Sequence, residues 1–129
     1  MADKPNLLLT ASAAVYFVAS VGAIFAGDEL LKLAGAAGTS LELALLQLLG
    51  AAVFSLAMLN WMNRYSLMGG IFGRPLVVVN FANSAISALM LVHLARRDGV
   101  STALGIALGF YALIALAFGA RLFVPAREN

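Results

Sequence analysis

Four stretches of this chain, residues 7–26, 41–62, 75–95 and 101–123, run for about 20 residues each with scarcely a charge inside them. A helix rising about 1.5 Å per residue needs roughly that length to cross the ~30 Å hydrocarbon core of a bilayer. One such run can be buried in a soluble core, but four in 129 residues leave too little polar surface to keep the chain in water. The composition agrees, with 63% hydrophobic and 11% charged residues, where soluble domains carry about 25% charge. The expected fold is all-α: a polytopic membrane protein whose four transmembrane helices form an up-down bundle and a single domain over residues 1–129.

The third run, PLVVVNFANSAISALMLVHLA, has the most purposeful interior. At about 100° per residue, Asn80, Asn83, Ser84 and Ser87 share an arc of roughly 100°. Val77, Phe81, Ala85 and Leu89 are assigned to the lipid side. Hydrocarbon offers no hydrogen bonds, so the polar arc must meet other helices or water. Gln47 in the second run and Tyr16 in the first extend this set, making six candidates for an interhelical polar face or a cavity lining. Pro75 suits the first helical turn, where its missing N–H is not needed. His93, the sole histidine, lies off the polar arc, and cysteine is absent. A metal or haem site usually takes more ligands than that, so neither a metal nor another cofactor is expected.

The first run exceeds the apolar core of a secretory signal, about 7 to 15 residues, and is read as a retained helix with Ser12, Tyr16, Ser20, Ala19 and Ala23 on one packing face. Residues 27–40, GDELLKLAGAAGTS, form a connector in which 28–33 can lie along the interface as one or two helical turns. Thr39 with Glu42 matches a capping box, placing a helix start near Ser40 or Leu41; the alternative role for Glu42 is an intramembrane carboxylate. In the second run Gln47, Gly50, Ala51, Phe54 and Trp61 fall on one side. The segment NWMNRY then reads as an interfacial anchor, with a headgroup or anion site at Asn60, Asn63 and Arg64 as the functional alternative. Residues 66–74 are a glycine-rich link without the spacing of a phosphate loop. Residues 96–99 read as a turn, with Ser101 and Thr102 as caps for the fourth run. There Gly105, Gly109, Ala112 and Gly119 form a small-residue stripe that fits either internal packing or a dimer seam.

Eight scattered Lys and Arg and a net charge of +2 make no nucleic-acid patch. Lys4, Arg64, Arg74, Arg121 and Arg127 would lie on one side, against Lys32, Arg96 and Arg97 on the other. That imbalance places both termini in the cytoplasm. The order of a short first helix, the connector GDELLKLAG and then LLQLLGAAVFSLAMLNW resembles small four-helix bacterial membrane proteins of the DoxX-like type, which implies the bacterial cytoplasmic membrane. No site residue is carried over from that resemblance. Small multidrug exporters have an acid in the first helix and fluoride channels a Thr-Phe-Ser-Thr-Phe element; this chain has neither. The leading expectation is a structural or accessory subunit, associating with itself or with a larger membrane complex. The alternative is binding or transport of a small neutral or lipophilic ligand. An enzyme ranks third, because no carboxylate pair or nucleophile–base pair is visible and no catalytic residue is assigned.

Overall fold

The computed structural model describes residues 4–123, so Arg127 and the tail 124–129 lie outside the described residues. The described residues are helical, with α1 at Leu7–Phe25, α2 at Gly27–Leu33, α3 at Ser40–Met62, α4 at Gly73–Asp98 and α5 at Thr102–Phe123. All but α2 are long and apolar enough to cross a membrane. The chain divides after Tyr65 into two compact units, each built on a pair of packed helices: α1 with α3, and α4 with α5.

In the first unit the helix ends follow from local chemistry. Asn6 caps α1, its Oδ1 accepting the N–H groups of Leu8 at 3.0 Å and Leu9 at 3.4 Å, which would otherwise lack partners in the first turn. Helix α2 ends in a Schellman arrangement: Ala36 N–H donates to the Leu31 carbonyl at 2.9 Å and Gly35 N–H to that of Lys32 at 3.0 Å. Gly35 takes the left-handed φ of 72° that this motif requires. The capping box forms as read from the sequence. Glu42 N–H donates to Thr39 Oγ1 at 3.2 Å, and Thr39 N–H to Glu42 Oε2 at 2.7 Å.

Helices α1 and α3 then run antiparallel in one register. Asn6 N–H meets the Arg64 carbonyl at 2.6 Å, Asn60 meets Ser12, and the rings of Phe17 and Phe54 lie 5.9 Å apart. Further along, Gly50 approaches Ser20, Ala23 and Ile24, and Gly27 lies against Leu43. Each step along one helix is matched by an equal step back along the other.

The second unit is an α4–α5 hairpin. Helix α4 begins two residues before Pro75, leaving the proline in the first turn, and continues through Arg96 and Arg97 to Asp98. The expected turn at 96–99 is therefore confined to its end. Basic side chains favour a helix C-terminus, and the break comes at Gly99, whose φ of 84° is left-handed. Ser101 Oγ accepts Leu104 N–H at 3.2 Å to start α5. Val77, assigned to lipid from the sequence, is buried. It lies only about 60° round the helix from Asn80, so it shares the covered side. Phe81 packs against Gly119, while Leu89 is exposed.

Large apolar side chains cover the outside. Val18, Leu41, Leu48, Ile86, Leu89, Met90, Ile106, Leu113 and Leu116 are all exposed, and only 6% of the α5 span is buried. Water would penalise so much exposed apolar surface, whereas lipid does not. The chain is a membrane-embedded helical protein.

Candidate functional site

A polar side chain inside a span has three ways to avoid an unmet hydrogen bond: its own helix's carbonyls, a neighbouring helix, or a ligand. The four residues of the polar arc on α4 do not all take the same one. Asn80 is buried and donates from Nδ2 to the Leu76 carbonyl at 2.9 Å. Ser84, also buried, donates from Oγ to the Asn80 carbonyl at 2.5 Å, with the Phe81 carbonyl at 3.3 Å. These bonds run back along α4 and occupy a donor of each residue. Ser87 is half-buried. Asn83 differs: its Nδ2 is covered by protein and has no acceptor among the described residues.

Tyr16 and Gln47 belong to the first unit. Tyr16 is fully buried on α1. Gln47 is exposed on α3 and donates from Nε2 to the Ile24 carbonyl of α1 at 3.4 Å. The bond crosses from α3 to α1. Ile24 lies about 12 Å along α1 from Tyr16, so Gln47 and Tyr16 do not form one cluster.

The proposed headgroup triad is likewise separated. Asn60 is completely buried and donates from Nδ2 to Ser12 Oγ at 3.0 Å. The Ser12 hydroxyl in turn donates to the Leu9 carbonyl at 3.1 Å. Asn60 is thus a hairpin-core residue, part of a chain of bonds joining α3 to α1. Asn63 ends α3 and donates back to the Leu59 carbonyl at 2.8 Å. Asn63 and Arg64 thus stay at the end of α3, and only Asn60 is withdrawn into the hairpin. Comparison with protein-family models, curated proteins and solved structures finds no match.

The site therefore rests on its own chemistry. Ser12 was legible as part of a packing face, but its pairing with Asn60 was not, because the two are 48 positions apart and only the antiparallel register brings them together. Asn6, in the polar lead, carried a readable signal: an asparagine immediately before an apolar run is a preferred helix cap.

The Ser12–Asn60 pair gives a direct test. Ser12→Ala, Asn60→Ala and the double variant, unfolded in detergent, should yield a coupling energy of about 0.6 to 1.7 kcal/mol. Additive losses would mean that the two side chains do not act as a pair.

Proposed function

We propose that this chain is a structural or accessory subunit of a membrane assembly, located in the bacterial cytoplasmic membrane with both termini cytoplasmic. The supporting observation is the use made of the polar groups. Asn80, Ser84 and Ser12 donate to carbonyls of their own helices, and Asn60 and Gln47 donate across the first hairpin. The two bonds across the hairpin hold α1 and α3 in register, and all five leave those donors occupied. The DoxX-like layout of the first half supports the bacterial membrane, and the charge imbalance between connectors supports the orientation.

A second reading, binding of a small neutral or lipophilic molecule, is favoured by one observation, the unmatched Asn83 Nδ2. A ligand carbonyl is the type of acceptor it lacks. Native mass spectrometry of the chain released from nanodiscs separates the two. The structural reading expects several copies or a second protein, with no non-lipid molecule retained. A monomer that carries a reproducible non-lipid mass, lost on Asn83→Ala with the helices intact by circular dichroism, would overturn it in favour of the second.

A further inference from the structure

One end of the first hairpin differs in charge from the other. The acids Asp28, Glu29 and Glu42 lie where α1 ends and α3 begins. At the opposite end, roughly 30 Å away by the length of the spans, are exposed Lys4 and the Arg64 side chain. Among the described residues the ion pairs are Glu29–Lys32 and Arg97–Asp98, so Arg64 has no carboxylate partner.

Arg64 is also held in place. Its guanidinium carbon lies 4.0 Å from the Trp61 ring centroid and 4.6 Å from that of Tyr65. Nη1 donates to the Trp61 carbonyl at 2.7 Å, and the Arg64 carbonyl receives Asn6 N–H from the start of α1. The guanidinium has five N–H donors in a rigid plane; the two ring contacts and one backbone bond hold it in place without consuming them all. Trp61 and Tyr65 are each about half exposed, just where α3 leaves the membrane-spanning length. Indole and phenol rings favour the headgroup level, with apolar faces toward acyl chains and polar tips toward water.

We propose that this end of the hairpin binds the phosphate of an anionic phospholipid headgroup, with Arg64 as the residue that contacts it. A planar cation with unused donors complements a phosphate oxygen pair. The flanking rings favour a lipid over free phosphate, because their exposed faces would lie against its glycerol and upper acyl carbons. The site differs from the triad of Asn60, Asn63 and Arg64: both amides are engaged elsewhere, and Trp61 and Tyr65 take their place. Lys4 adds charge at the same end without a bond that defines the geometry.

The test uses the full chain in nanodiscs of equal parts phosphatidylglycerol and phosphatidylcholine, with retained lipid weighed by native mass spectrometry. The wild type should keep the glycerol lipid about fivefold over the choline lipid: both carry the phosphate, but the choline ammonium cancels its charge, and the difference is the attraction of one arginine for net anionic lipid. Arg64→Gln should bring the ratio close to one. Arg64→Lys should recover only part of it, since an ammonium keeps the charge but lacks the planar pair of donors that matches two phosphate oxygens. A wild type without preference overturns the proposal, as does an Arg64→Gln protein that keeps it. Full recovery by Arg64→Lys, or an equal loss on changing Arg96 and Arg97 to Gln, would reduce the effect to general surface charge and overturn the site. Displacement of the lipid by millimolar inorganic phosphate would overturn the lipid assignment.

Discussion

Replacing Gly50 by leucine is expected to force α1 away from α3 and to cost about 3 kcal/mol of stability. A Cβ at this position would lie 2.9 Å from Ile24 Cγ1, 3.0 Å from Ala23 Cβ and 3.3 Å from the Ser20 carbonyl oxygen. Ile24 can turn aside, but Ala23 Cβ and the Ser20 oxygen move only with the α1 backbone. Leucine would add three further carbons to a gap that barely admits one. Close approach here also sets the register that brings Asn60 to Ser12, so the loss should extend beyond local crowding. Gly50→Ala should cost less, about 1 kcal/mol, because a single carbon needs a shift of only a few tenths of an ångström. Trp61, the single tryptophan, lies on α3 and reports the unfolding by fluorescence in a detergent titration. A Gly50→Leu protein with the wild-type midpoint would show that the helices do not depend on this contact.

Gly73→Ala is expected to be at least as damaging, although it adds only one carbon. That carbon would collide with the Leu67 carbonyl oxygen and lie 2.7 Å from both the Leu67 carbonyl carbon and Met68 Cα. All three are backbone atoms, so no rotamer change relieves the clash. The connector is closed by backbone bonds: Gly70 N–H to the Leu67 carbonyl at 3.0 Å, Gly73 N–H to that of Gly70 at 3.1 Å, and Arg74 N–H to the same carbonyl at 3.0 Å. Making room for a methyl group would open this turn and unseat the first turn of α4. A cost of about 3 kcal/mol is the scale for such a backbone displacement. Gly109→Ala is the matched control: nothing lies within 4 Å of its added carbon, and it should not destabilise, with a gain of up to about 1 kcal/mol from the better helix propensity of alanine. Equal effects at the two glycines would contradict the packed connector.

The open surroundings of Gly109 also bear on the small-residue stripe. Gly119 meets Phe81 of α4, whereas Gly105 and Gly109 are exposed. Internal packing thus uses only one part of a stripe that looks uniform in the sequence. Residue spacing defines a helix face but does not say how far along the helix a neighbour follows it.

The sequence by itself determined the class of protein and most helix limits. Whether an apolar run can span a bilayer depends on its own length and polarity. Where a helix starts depends on residues within one turn, such as Thr39 with Glu42 at the start of α3. Both questions are local, so the sequence answers them. Tertiary structure decided what each polar group is for. Asn60 reads as an interfacial amide beside Trp61 and Arg64, yet the antiparallel register of α1 and α3 buries it against Ser12. Asn80 and Asn83 look equivalent on a helical wheel, but one donates to Leu76 while the other's Nδ2 has no acceptor among the described residues. Pairings between helices depend on register and on the rotation of each helix about its axis, and neither is encoded within any single stretch of chain.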